Sequence, residues 1–289
     1  MKLSVSSYSF EQYTKEGKMT LIDCISKAKE MGFDAIEFIT LPGDTFEEKK
    51  ELAKKIKEEA DKVGIEINAY TVGACLYYDT KEECEAEVEK LKNHLDIAKI
   101  LGAKVMRHDV CAKLGKTGAS RSFDLMLPTI AENARRVAEY GQTLGIKTCT
   151  ENHGHVAQDS DRVERLFNAV NHDNFGLLVD MGNFLCVDEN PITAVSRLAP
   201  YAIHAHAKDM VIRNKPFRIG GVMTRGGNYL SGAIVGEGDV PIEQCIRILK
   251  KAGYDDYLSL EYEARGDCIE GIAKGLRNLR QFLANIEEN

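Results

Sequence analysis

Four short apolar runs in the second half of the chain each close on an ionisable side chain. Lys147-Thr148-Cys149-Thr150-Glu151 leads into Asn152-His153-Gly154, and Gly176-Leu177-Leu178-Val179-Asp180 leads into Met181-Gly182-Asn183-Phe184. Further on, Ala202-Ile203-His204-Ala205-His206-Ala207 leads into Lys208-Asp209, and Tyr257-Leu258-Ser259-Leu260-Glu261 leads into Tyr262-Glu263. Taken singly, an acidic residue at the end of such a run caps the following helix or pairs with a nearby cation. Glu151, Asp180, His206 and Glu261 together have a different chemistry. Three carboxylates and an imidazole in one partly dry space cannot all stay ionised without a counter-charge. One divalent metal ion supplies it. Oxygen-rich ligation with a single nitrogen suits Mn²⁺, Co²⁺ or Mg²⁺, and Zn²⁺ is also accommodated.

For these residues to meet, the runs must be parallel strands whose C-terminal ends share one mouth. Along all 289 residues, β-branched or apolar runs alternate with longer stretches of helical periodicity. Strands are expected at about Leu3–Ser9, Ala35–Ile39, Glu66–Val72, Lys104–Asp109, Lys147–Glu151, Gly176–Asp180, Ala202–Ala207 and Tyr257–Tyr262. Helices are clearest over Glu47–Val63, Ala86–Leu101, Pro128–Leu144, Ile242–Ala252 and Ile269–Ile286. Gly32, Gly64, Gly102, Gly145 and Gly253 fall where a helix closes and a strand soon begins, the left-handed position that glycine tolerates best. Asp239-Val240-Pro241 reads as an N-cap with proline in the first turn of the seventh helix. This alternation predicts an α/β chain folded as a single (β/α)₈ TIM barrel over residues 1–289. A doubly wound sheet is disfavoured, because no G-x-G-x-x-G follows the first strand.

Side chains alternate along a strand. If Leu258, Leu260 and Tyr262 face the helices, Ser259 and Glu261 face the lumen. If Ile203, Ala205 and Ala207 face out, His204, His206 and Lys208 face in. Glu151, Asp180, His206 and Glu261 then share one rim at the C-terminal face, where such barrels build their chemistry.

Around these residues the motifs are Thr150-Glu151-Asn152-His153, Val179-Asp180-Met181-Gly182-Asn183, His204-Ala205-His206-Ala207-Lys208-Asp209, Leu258-Ser259-Leu260-Glu261 and Gly236-Glu237-Gly238-Asp239-Val240. On them the chain resembles, over essentially its whole length, the sugar-phosphate isomerase/epimerase superfamily of xylose isomerase-like TIM barrels. That group takes in tagatose and psicose 3-epimerases, inosose isomerases and dehydratases, hydroxypyruvate isomerases and, more distantly, endonuclease IV. The resemblance implies that Glu151, Asp180, His206 and Glu261 are the metal ligands and that Glu151 and Glu261 double as the catalytic acid/base pair. It further implies a divalent-metal-dependent isomerase or epimerase of a keto-sugar or polyol derivative, a role in carbohydrate metabolism. One glutamate would take the carbon-bound proton beside the carbonyl, giving a cis-enediolate. The other would return a proton, to the opposite face for epimerisation or to the adjacent carbon for isomerisation. An inosose-type dehydratase or another lyase would use the same enediolate and is the alternative. Two departures from the tagatose-type epimerases fall at sugar-contacting positions: Asn183 stands where they have histidine, and the stretch from Lys208 to Arg213 is unlike the one that carries their arginine.

The remaining candidates are substrate contacts. His108, at the end of the fourth strand, either touches substrate or makes a buried structural hydrogen bond. His153 and Asn183, just past ligand-bearing strands, would bond sugar hydroxyls or else satisfy local backbone groups. Lys208 has the parity to polarise a carbonyl or hold an oxyanion; the alternative is a surface lysine paired with Asp209. Arg213, Lys215, Arg218 and Arg225 lie in a long glycine-rich segment, Val211–Gly238, that suits a lid. Its cations would bind phosphate or carboxylate, or are simply solvated. His204 reads as support one layer below His206, His94 as a helix-surface residue and His172 as a loop residue.

Composition narrows the partners. The net charge of −7 repels phosphate backbones, and seven histidines are few for the multi-metal cluster of an endonuclease IV-like nuclease. No stretch reaches the roughly 18 apolar residues of a membrane span, and the start lacks the apolar core of a signal peptide. The eight cysteines are scattered with no C-x-x-C pair, which fits free thiols in the cytoplasm. A small-molecule sugar is the expected partner, with no nucleic acid, no membrane and a homo-oligomer left open. A barrel that only binds sugar would not need both glutamates.

Overall fold

The computed structural model describes residues 1–111 and 113–287. Strands β1 (Lys2–Ser6), β2 (Ala35–Ile39), β3 (Glu66–Val72), β4 (Val105–His108), β5 (Lys147–Glu151), β6 (Phe175–Asp180) and β7 (Ala202–Ala207) follow one another around a parallel barrel. The chain then makes a separate antiparallel sheet of β8 (Asp209–Arg213), β9 (Val222–Met223) and β10 (Tyr229–Ala233), in the order β8-β10-β9. Finally β11 (Tyr257–Leu260) closes the barrel between β7 and β1. The expected (β/α)₈ barrel is the fold.

Helices α2 (Leu21–Met31), α3 (Phe46–Val63), α4 (Lys81–Leu101), α5 (Phe123–Leu144), α6 (Ser160–Val170), α7 (Pro191–Leu198) and α8 (Ile242–Lys251) connect the barrel strands, α9 (Cys268–Glu287) follows the last of them, and a short α1 (Glu11–Lys15) precedes α2. Their sequences explain both packing and ends. In α8 the buried residues Ile242, Cys245, Ile246 and Leu249 recur at helical spacing, so one stripe packs inward while Lys250 and Lys251 close the last turn. Each fully buried aliphatic side chain of that kind contributes about 1.5–3 kcal/mol. Thr20 with Asp23 and Thr45 with Glu48 form reciprocal capping boxes at the starts of α2 and α3. The five glycines expected at helix ends all take positive φ, from +71° at Gly145 to +94° at Gly253.

Register sets which residues face the lumen. Ser6 pairs with Glu37, Ser4 with Ser259, Ser259 with His206, and His206 with Asp180. Neighbours in register share a face, so these polar side chains all point inward, as the alternation in β7 and β11 implied. Ser259 accepts from Ser4 at 2.9 Å, and Ser4 accepts from Asn68 at 3.2 Å, so the lumen below the mouth is a polar column.

Several expected boundaries move. The first strand stops at Ser6, because Ser6 caps a 3₁₀ turn over Ser7–Phe10 by accepting from the Tyr8 amide. The last strand stops at Leu260, although the Glu261 amide still donates to the Ala207 carbonyl at 3.1 Å and holds Glu261 against β7. Helix α4 starts at Lys81, where Thr80 caps it, rather than at Ala86. Helix α5 starts at Phe123 and carries Pro128 inside it, since losing one amide near the start leaves most of the helical bonds intact. Asp239 does not cap α8: its carboxylate accepts from the Ile212 amide at 2.8 Å, and Pro241 itself occupies the cap position. The segment Val211–Gly238, expected as a loop, carries most of the small antiparallel sheet; its glycines hide a weak alternation. Among the described residues no helix is long and apolar enough to cross a membrane.

Candidate metal centre

Glu151 ends β5, Asp180 ends β6, His206 lies near the end of β7, and Glu261 directly follows β11. One ligand atom from each lies within 4.8 Å of those of the other three. Local sequence fixes these positions. Asn152, next to Glu151, donates to the Asp180 carbonyl and accepts from the Asp180 amide, each at 2.9 Å, clamping the two strand ends together. Gly182 lets the turn after β6 lie against β7, because a Cβ there would sit 2.7 Å from the Lys208 carbonyl oxygen. In that turn the Gly182 and Asn183 amides donate to Asp180 Oδ1 at 2.8 and 2.9 Å, which aims the other carboxylate oxygen into the cluster.

The free atoms show how well this set suits a divalent cation. Asp180 Oδ2, His206 Nδ1 and Glu261 Oε2 are buried without a hydrogen-bond partner. Such orphaned groups cost free energy unless something else satisfies them. His206 Nδ1 stands 3.7 Å from both Asp180 Oδ2 and Glu261 Oε2, while its Nε2 lies 3.0 Å from Glu37 Oε2. Glu37, fully buried on β2, also takes the Nε2 of His204 at 2.6 Å. A histidine held at Nε2 by a carboxylate presents a bare Nδ1, the arrangement that orients imidazole ligands toward a metal. The residues fit one divalent ion.

Two cations share the space. Lys208 Nζ lies 2.6 Å from Glu261 Oε2, 3.3 Å from Asp180 Oδ2 and 3.2 Å from Glu263 Oε1, an ion-pair contact with Glu261 outside the angles of a hydrogen bond. Arg107, on β4, reaches Glu151 at 2.6 Å and Asp109 at 2.8 Å. Arg107 and Lys208 face more carboxylates than they offset. Burial pushes the Glu151 carboxyl up against the pull of Arg107. For Asp180 and Glu261 burial acts in the same direction, but Lys208 and His206 together outweigh it and both are held below the usual range, Glu261 well below. Burial opposes protonation of His206, yet Glu37, Asp180 and Glu261 together outweigh it and raise the imidazole well above its ordinary value.

Of the other expected contacts, Asn183 and Lys208 join the cluster. Asn183 donates to Glu151 Oε1 at 2.7 Å and accepts from Lys208 at 3.2 Å, so it spans the two charge systems. Lys208 does not pair with Asp209, whose carboxylate instead accepts the Met210, Gly236, Gly238 and Val240 amides. His153 is exposed at the rim with Nδ1 3.0 Å from Asp109 Oδ1. His108 is not at the mouth. Arg107 shares its face with Cys149 and Glu151, so His108 points to the helices, fully buried, with its ring 6.1 Å from that of Phe175. Arg213 is exposed on β8 and holds to the ring of Phe217 at 4.8 Å, joining no contact with the cluster. Arg225 ties the small sheet down through Asp159 at 2.7 Å. His94 is buried rather than on a helix surface, 3.1 Å from the Tyr70 hydroxyl.

Sequence reasoning missed Glu37, Arg107, Asp109 and Glu263. Glu37 had a signal: an acid in the middle of the apolar strand Ala35-Ile36-Glu37-Phe38-Ile39. Beside Lys208, whose partner Glu263 lines it, opens a cleft of about 460 Å³ with Tyr8, Gln12, Tyr262 and Arg265 in its wall.

The family model described as xylose isomerase-like TIM barrel matches residues 25–284. An inosose dehydratase of Clostridium perfringens is 24% identical over 259 residues, covering 84% of this chain and 82% of the relative. The structure of L-ribulose 3-epimerase superposes with a TM-score of 0.75 at 15% identity, covering 99% of this chain and 96% of the other. A xylose isomerase-like TIM barrel protein from Mycobacterium smegmatis, in complex with magnesium, superposes with a TM-score of 0.70 at 17% identity, covering 92% and 88%.

Proposed function

The chain belongs to the xylose isomerase-like TIM barrel family, and from that premise we propose that it acts, as one domain spanning residues 1–289, as a divalent-metal-dependent isomerase or epimerase that enolises a keto-sugar or keto-polyol. The observation that carries this reading is the pair Glu151 and Glu261: both contribute to the four-residue cluster, and each has a buried cation of its own, Arg107 and Lys208, at 2.6 Å. A divalent ion held by Glu151, Asp180, His206 and Glu261, with Mn²⁺, Co²⁺ or Mg²⁺ the best matched, would acidify the proton on the carbon next to a carbonyl. One glutamate takes that proton, leaving a cis-enediolate, and the second returns a proton to the other face or to the adjacent carbon. Asn183 keeps Glu151 in place, and the Lys208 ammonium stabilises charge that develops on the substrate oxygen. The cleft beside Lys208 offers hydroxyl, amide, carboxylate and guanidinium groups, a lining suited to a polyhydroxylated substrate.

A second reading is favoured by Lys208. The Lys208 ammonium, held charged by Glu261 and Glu263, can donate a hydrogen bond to a departing hydroxyl and stabilise the charge it gathers, which turns the same enediolate to loss of water. The similarity to inosose dehydratase supports this branch. Incubation with Mn²⁺ and a panel of ketoses and inososes in heavy water tests both. Deuterium on the carbon next to the carbonyl is expected, with an epimer or isomer as product in the first case and a dehydrated ketone in the second. Metal-loaded protein that exchanges no carbon-bound proton on any member of the panel would overturn the enolisation.

A further inference from the structure

Two cysteines outside this chemistry are brought together where the chain leaves β3 and β4. In the β3–β4 pair Val72 lies opposite His108. The pairing continues past both strands, with the Asp109 amide donating to the Val72 carbonyl at 3.2 Å and the Leu76 amide donating to the Val110 carbonyl at 2.7 Å. The second bond is one residue out of that register, and it joins the residue after Cys75 to the residue before Cys111, so the two cysteines flank it. The two thiols are in contact and both are free. They line one cleft of about 420 Å³ with Tyr77, Tyr78, Lys113 and Ser120, and Cys75 is only partly buried. Cys75 and Cys111 also donate to the Tyr77 and Lys113 carbonyls, each at 3.2 Å, while Cys84, the other thiol near this loop, meets the Tyr78 backbone.

We propose that Cys75 and Cys111 are a hydroperoxide-responsive pair that closes to a disulfide and staples the two loops following β3 and β4 at the rim of the mouth. The neighbouring Cys111 thiol stabilises the Cys75 thiolate against the effect of burial, whereas contact with Cys75, and then burial, keeps Cys111 protonated. Cys75 is also the more exposed of the two thiols, which makes it the nucleophile. Its thiolate attacks one oxygen of hydrogen peroxide, the O–O bond breaks, the leaving hydroxide takes a proton to become water, and the sulfur becomes a sulfenic acid. The Cys111 sulfur then attacks that sulfur, the S–O bond breaks, and hydroxide leaves as a second water with the Cys111 proton. The pair is oxidised and the peroxide reduced. The staple bears on the metal centre through chain connectivity: Asp109, two residues before Cys111, grips Arg107 at 2.8 Å and His153 at 3.0 Å.

Peptide mapping of the intact protein after hydrogen peroxide, with remaining thiols alkylated, tests this directly. A Cys75–Cys111 cross-linked peptide is expected before any other cysteine is modified. In Cys111→Ser the cross-link is lost and dimedone labels a sulfenic acid at Cys75, while in Cys75→Ser no label appears at Cys111. A map in which the half-buried Cys186 oxidises first, in which Cys75 pairs with Cys84, or in which Cys75 stays alkylatable would overturn the proposal. The wild-type map needs no variant, so a misfolded serine variant does not shield it.

Discussion

Glu37→Gln probes how the centre is held. Glu37 is fully buried and its Oε2 receives both imidazoles, His204 at 2.6 Å and His206 at 3.0 Å. Glutamine keeps the shape but has one acceptor oxygen and one amide, and it has no charge. Where the amide meets His206 it donates to Nε2, which forces the ring proton onto Nδ1, the atom aimed at the cluster. Loss of a carboxylate behind a histidine ligand lowers metal affinity about 10–100-fold, or about 1.4–2.7 kcal/mol. Removing one partner from a buried charge cluster also destabilises the fold, by about 3–5 kcal/mol. The pH dependence has a definite sign. The two histidines outweigh burial and hold the folded Glu37 carboxyl below its ordinary value. Its contribution is therefore present above the unfolded value of about 4.3 and is lost as pH falls toward the lowered folded value. Calorimetric titration of metal-stripped protein with Mn²⁺, alongside thermal unfolding from pH 7 down to about pH 3, reads both effects. Wild-type Mn²⁺ affinity in a folded Glu37→Gln variant would refute the reasoning, as would a stability difference that grows on acidification.

His206→Ala is expected to lose most of its bound metal under chelator challenge while circular dichroism stays native, since the barrel core lies below the site. Lys208→Met removes a cation that competes for the same carboxylates, so equilibrium titration is expected to show tighter Mn²⁺ binding while kcat falls. Gly182→Ala puts a Cβ 2.7 Å from a backbone oxygen that cannot swing away, and thermal unfolding is expected to report a loss of about 1–3 kcal/mol.

Much of this was legible in the chain because one rule, alternation along a strand, acts at every position. Glu151, Asp180, His206 and Glu261 could be aligned from sequence because each sits at or just past the end of an apolar run, where the barrel converges. The same rule applied to β4 would have turned Arg107 inward and His108 outward. The polar ending Arg107-His108-Asp109 disguised that parity, since three polar residues in a row give no apolar face to count from. Glu37 was hidden for the opposite reason. Its strand looks like a plain core strand, and its partners arrive from β7, far away in sequence. The small antiparallel sheet was missed because its order depends on Asp188, which accepts Thr224, Gly226 and Asn228, a tertiary tie that no local pattern announces.

The central claim is that four strand-end side chains hold one divalent ion. Diffraction from a crystal soaked in Mn²⁺, recorded at the manganese absorption edge, tests it most directly. One anomalous peak is expected within bonding distance of Glu151, Asp180 Oδ2, His206 Nδ1 and Glu261, and it should vanish in His206→Ala. A peak elsewhere, or none at saturating Mn²⁺ with Lys208 still seated among the carboxylates, would contradict it.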